Sequence, residues 1–200
     1  MTISMYKASA PIFLQFLTSM SAVLDKAAAF AETKKIEEAA LLATRLYPDM
    51  FPFSRQIEQV TVHACRACAE LSGTTAPTFE TSEMSFAVLK ARIAKAIEFI
   101  KGMKPEQIDG TEDKPIVLKF GAREMSFTGQ PFLLNFSLPN FYFHATTAFA
   151  ILRSIGVEIG KRDFIGKSRS FLCFYRQNQE GEALFSQDLE AEIGSLWRNS

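Results

Sequence analysis

Asn135–Gly166, reading NFSLPNFYFHATTAFAILRSIGVEIGKRDFIG, is the stretch from which the rest of the chain is read. Beyond Pro139 it has a helical period. Asn140, His144, Thr147, Ala148, Ile151 and Ile155 recur at spacings of three and four and therefore share one face. That face is apolar except at Asn140 and His144, so an imidazole is aimed toward a core. Gly156 ends the helix, because glycine takes the left-handed conformation a helix C-terminus often needs.

Upstream, the same period recurs. A first helix is expected from about Ser9 to Ala31, with Pro11 in its first turn and Phe13, Phe16, Leu17, Met20, Val23, Leu24 and Ala27 on one face. Polar breaks at Gln15, Thr18, Ser19 and Ser21 make it a core helix instead of a signal sequence, and no run is expected to be long enough to span a bilayer. Ile36–Leu46 repeats the pattern with Ile36, Ala39, Ala40, Ala43 and Leu46 inward, and the two prolines of Tyr47–Phe53 then force a corner. A helix over Ser54–Ser72 buries Ile57, Val60, Ala64, Cys68 and Leu71 and stops at Gly73. Another runs from a Ser82 cap, with Glu83 in its first turn, to Lys101, with Phe86, Leu89, Ile93, Ile97 and Ile100 inward. Ile116–Phe120 and Met125–Thr128 flank a turn at Gly121–Glu124 and read as a β-hairpin, followed by a helical turn near Pro131–Asn135. Four long amphipathic helices with one inserted hairpin make an all-α bundle, whose ligand sites lie between helices.

Composition narrows the function. The chain has 200 residues, 48% hydrophobic and 22% charged, which suits one domain with a substantial core. Lys plus Arg and Asp plus Glu both number 22, and without a basic excess or stripe no nucleic-acid partner is expected. The 19 phenylalanines are scattered, as core and interface packing requires. Cys65, Cys68 and Cys173 form no disulfide framework; the C-x-x-C lies inside a helical pattern, so reduced thiols in a cytoplasmic protein are expected.

Three patches carry a resemblance. They are Tyr47–Phe53 followed by Gln56 and Ile57, then Phe127–Gln130 with Leu138–His144, and finally Gly156–Gly166. Together they resemble an uncharacterised bacterial domain-of-unknown-function family within the DinB/YfiT-like superfamily of four-helix-bundle metalloenzymes. The resemblance covers about Met1 to Gly166 and implies an up-down-down-up bundle, often dimeric. Many members of that superfamily hold a divalent metal with three histidines, one on the second bundle helix and two as H-x-x-x-H on the last. Here His144 stands at the first position of that pair, Ala148 at the second, and His63 lies on the second-bundle helix. With two histidines in the whole chain, a three-histidine site is excluded.

Each candidate residue has a plain alternative role. A core-facing His144 is expected to be hydrogen-bonded, to Asn140, Thr147 or a backbone carbonyl, or else to act as a pocket residue together with Asn140, Thr147 and Tyr142. His63, beside Gln56, Gln59, Arg66 and Glu70, is expected on the flank that meets water. A divalent ion such as zinc or nickel needs three or four donors, and the best available set is His63, His144 and Asp49, although Asp49 in its Pro-bracketed corner also reads as a backbone cap. Lys161-Arg162-Asp163 reads as a surface turn with its own ion pair. Two expectations result. The first is a non-catalytic or small-ligand-binding cytoplasmic homodimer with an incomplete metal site, without cofactor, nucleic acid or membrane. The alternative is a divalent-metal-dependent hydrolase or thiol-transferase using His144, His63 and a carboxylate. Residues 1–166 form the bundle domain, and 167–200 an extension whose Phe171, Leu172, Phe174 and Tyr175 pack on the bundle or a partner chain, with a short helix over Asp188–Trp197.

Overall fold

A computed structural model describes residues 3–79, 85–121 and 123–166. The expected Ser82 cap with Glu83, Cys173, and the extension with its Asp188–Trp197 helix all lie outside the described residues. Helix α1 (Ala10–Lys34) has a proline in its first turn and ends where Lys35 takes a left-handed conformation at φ 55°, so that the Ile36 N–H reaches the Ala31 carbonyl. It extends about one turn beyond the expected end. Contrary to expectation, α1 does meet the length and composition of a membrane span. Its stripe of Phe13, Leu17, Leu24 and Ala27 is nevertheless fully buried in the bundle, the position of a core helix.

The second expected helix is cut down and turned over. Helix α2 covers Glu38–Leu42 and buries Leu41 and Leu42, whereas Ile36, Ala39, Ala40, Ala43 and Leu46 are exposed. Tertiary geometry overrides the periodicity here. The Phe53 N–H closes onto the Thr44 carbonyl at 2.8 Å, pulling the chain into the Tyr47–Pro52 corner before a second turn of helix can form.

Helix α3 (Phe53–Ser72) leaves this corner and stops at Gly73, whose φ of 73° is the left-handed cap. Helix α4 (Phe86–Lys101) is capped by Ser85, whose hydroxyl oxygen accepts the Val88 N–H at 3.1 Å. A short turn, α5 (Pro105–Ile108), precedes strands β1 (Pro115–Phe120) and β2 (Arg123–Thr128), paired antiparallel from Pro115↔Thr128 to Phe120↔Arg123. The hairpin thus turns more tightly than expected, with Arg123 and Glu124 already in β2. Lys114 Nζ donates to the Glu70 and Leu71 carbonyls and so ties the base of the hairpin to the open end of α3.

From Gly129 the chain stays helical. A single turn, α6 (Gly129–Pro131), passes into a π-helical stretch over Phe132–Ser137 and on into α7 (Leu138–Ser154). Pro139 supplies the physical reason for the wide turn. It has no N–H to give and its ring crowds the carbonyl four residues back. The Leu138 N–H accordingly reaches Leu133, five residues back. Helix α8 (Lys161–Ile165) closes the described chain on α1. Asp163 accepts from the Gly160 N–H and pairs with Lys26 at 2.7 Å, so the expected ion pair forms with α1 instead of within the turn.

The long helices α1, α3, α4 and α7 make the bundle. Helix α3 lies mainly against α7 and α4, and α1 lies against α4 with lesser contacts to α3 and α7. Packed between α7 and α4, α3 is buried on more than one face, and that decides the site.

Candidate functional site

Residues at spacings of seven and four bring the site together. Gln56 and His63 lie two turns apart on α3, and Asn140 and His144 lie one turn apart on α7. Where the two helices meet, the rings of His63 and His144 are near-parallel, 19° apart in plane, with centroids 5.6 Å apart. Both are buried, at 7% and 8% exposure. This corrects the placement of His63 at the water boundary. The flank of α3 that carries Gln56 and His63 does leave the α3 apolar stripe, but it faces α7.

The surroundings are aromatic. Phe51, from the Pro-bracketed corner, lies near-parallel to His144 at 6.3 Å and 15°, Phe143 meets it edge-on at 5.3 Å, and Phe136 of the π-helical stretch meets His63 at 5.9 Å. His144 Nδ1 lies 2.7 Å from Gln56 Oε1, and Gln56 Nε2 donates to the Phe51 carbonyl at 3.0 Å. His63 Nδ1 is buried without a hydrogen-bond partner, alone in this among the side-chain nitrogens and oxygens of the described residues. Burial drives the His63 pKa down to about 4, helped by the neighbouring His144 and Arg66, and burial also lowers that of His144. Both imidazoles are therefore neutral at pH 7.

Other expected residues take different places. Asn140 Nδ2 donates to the Phe136 carbonyl and Thr147 Oγ1 to the Phe143 carbonyl, so each bonds its own helix four residues back, and neither is the partner of His144. Tyr142 is two residues before His144, about 200° round the helix. It packs on Phe16 of α1 at 5.1 Å, away from the imidazole pair, and burial raises the pKa of its phenol. Asp49 is exposed in its corner, and among the described residues no three of His, Cys, Asp and Glu come together as a group able to hold a metal ion. Cys65 and Cys68 are free and buried, and burial pushes the Cys65 thiol up to about 12 and that of Cys68 up as well, so both stay protonated. Sequence reasoning missed Gln56 as the partner of His144 and Phe51 and Phe136 as the aromatic walls. The spacing of seven residues between Gln56 and His63 is the signal that finds the first.

A family model described as a domain of unknown function, DUF1993, matches residues 5–165. The chain belongs to the DUF1993 family. Its fold matches the crystal structure of a DinB family member protein from Shewanella denitrificans with a TM-score of 0.73 and 34% sequence identity, over 82% of this chain and 93% of that one. Comparison with curated proteins gives no match. This DUF1993 member is thus a DinB-like, up-down-down-up four-helix bundle with a small hairpin before its last bundle helix. Ala148, where the resemblance places the second histidine of the H-x-x-x-H pair, is fully buried, and among the described residues no third His, Cys, Asp or Glu joins His63 and His144.

Proposed function

We propose that this DUF1993 member is a non-catalytic, small-ligand-binding homodimer of the cytoplasm, and that its site is the His63–His144 pair. The observation that supports this reading is the unpartnered His63 Nδ1 beside an imidazole held by Gln56. A buried polar atom without a partner costs about 1–3 kcal/mol, so a ligand group that pairs with that nitrogen on entering the site recovers stability the free protein lacks. Neutral imidazoles carry no charge to attract an anion, and they favour a ligand that forms hydrogen bonds. Phe51 and Phe143, 46% and 56% exposed beside His144, suit a ligand with a flat apolar body.

Phenol is the simplest probe of that kind. Titrated into the full chain labelled with ¹⁵N, it is expected to shift the ring nitrogens of His63 and His144 saturably, and to do so no longer in His144→Phe. An unsaturable response, or one that survives His144→Phe, overturns the reading.

Dimerisation is supported by the hairpin. Ile116 and Leu118 are buried on its inner face, whereas Val117, on the opposite face, is 47% exposed and open to a second chain. Light scattering at micromolar concentration is expected to give the mass of two chains, and the mass of one chain would remove this part of the proposal. The two buried, protonated thiols suit a reducing compartment.

The second reading is a divalent-metal-dependent hydrolase or thiol-transferase. What favours it is that metal-bound imidazoles commonly have their other ring nitrogen tied to an oxygen, as His144 has to Gln56. What opposes it is that no third His, Cys, Asp or Glu joins the pair among the described residues. Zinc or nickel bound one to one, and lost in a His144→Ala protein that still folds, would place it first.

A further inference from the structure

Gln56 is 1% exposed, and both ends of its amide have assigned partners. A backbone carbonyl oxygen can only accept, so the end of the amide that faces the Phe51 carbonyl at 3.0 Å must be the nitrogen. The other end, Oε1, then faces His144 Nδ1 at 2.7 Å. An amide oxygen also only accepts, so Nδ1 must carry the hydrogen. A neutral imidazole carries one N–H, which leaves Nε2 of His144 as a bare acceptor.

We infer that Gln56 is the specificity-determining positioning residue of this site: by holding His144 in its Nδ1–H form, it makes Nε2 an acceptor and selects ligands that bring a hydroxyl, amide or ammonium hydrogen. The same amide fixes the rim, because the Phe51 whose carbonyl it binds is the one whose ring lies near-parallel to His144. Without the Gln56 oxygen the ring is free to carry its hydrogen on Nε2, and the site would then offer a donor where it now offers an acceptor. Gln56 itself needs no contact with the ligand.

The consequence for ligand choice rests on the ligand-binding reading above, but the position of the hydrogen on His144 is a property of the free protein, so the two can fail separately. Long-range ¹H–¹⁵N spectra of the full chain at pH 7 are expected to show His144 with a protonated Nδ1 and an unprotonated Nε2. In Gln56→Leu the hydrogen should move at least in part to Nε2, and phenol affinity should fall about tenfold, the loss of one hydrogen bond. Gln56→Glu gives up the donation to the Phe51 carbonyl but still offers an accepting oxygen to Nδ1, and should retain the hydrogen there. Should Gln56→Leu fail to fold, Gln56→Met, closer in shape to glutamine, serves for the same measurement. A wild-type His144 with its hydrogen on Nε2 overturns the inference outright, as do unchanged ring nitrogens in a folded Gln56→Leu protein.

Discussion

Gly129→Ala is expected to be the most damaging alanine substitution among the glycines of the described residues. A Cβ built there would stand 1.9 Å from the Thr111 carbonyl oxygen and 3.0 Å from its carbon, with Leu71 Cδ2 at 3.3 Å. No rotamer relieves a clash with backbone. Nor can Thr111 retreat easily: its carbonyl accepts the Lys114 N–H, its hydroxyl donates to the Ile108 carbonyl, and the adjacent Glu112 carbonyl holds the Gln130 N–H at 2.8 Å. The addition must therefore push the start of the last helical run away from the hairpin base that Lys114 ties to α3. Overpacking against fixed atoms costs about 3 kcal/mol or more. In a chain of this size that is a loss of about 6–12 °C in melting temperature. A thermal melt followed by circular dichroism checks it, and an unchanged midpoint would mean that Gly129 and Thr111 are not this close. The conformation of Gly129 is ordinary helix, so the requirement for glycine here is one of space and not of a left-handed φ.

Acidification is expected to destabilise the protein through His63. In the unfolded chain this imidazole titrates near 6.5, and burial, with help from His144 and Arg66, holds it down at about 4 in the fold. Between those values the unfolded chain binds a proton that the folded chain refuses, so stability rises with pH across the window. The contribution is complete above about 6.5 and is lost as pH falls toward 4, by about 3 kcal/mol in total. His144, also lowered by burial, adds a loss of the same sign. Carboxylates titrate in the lower part of this range too, so the informative quantity is a difference. In urea unfolding between pH 7 and pH 4, wild type should lose about 3 kcal/mol more stability than His63→Leu as the pH falls, because the variant has no buried imidazole to protonate. Equal losses would show that His63 is not desolvated in the folded protein.

Much of this protein is local and could be read from one chain. The α7 face, its end at Gly156 and the inward pointing of His144 follow from a spacing of three and four residues after Pro139. The α1 stripe, the stop at Gly73 and the hairpin follow in the same way, because each depends on a side chain and its own near neighbours in sequence. The short α2, turned over to bury Leu41 and Leu42, marks where that reasoning stopped. A period of 3.6 residues says that a helix is possible, but the Phe53–Thr44 hydrogen bond decides that it ends early and which side is covered.

The site belongs mostly to the tertiary structure. Periodicity picks out one apolar stripe per helix, and His63 lies off the stripe of α3; a helix between two neighbours has a second buried face, which exists only once α7 packs there. That packing sets two imidazoles 5.6 Å apart, removes His63 from water, and presents the Gln56 oxygen to His144 across 88 positions of sequence. It also sends Tyr142 to α1 and leaves Asp49 in solvent. Sequence by itself determined which helices form and that one histidine turns inward, because those are properties of a single helix. Only the fold decided what that histidine meets, because a contact between distant segments depends on where each helix finds its neighbour.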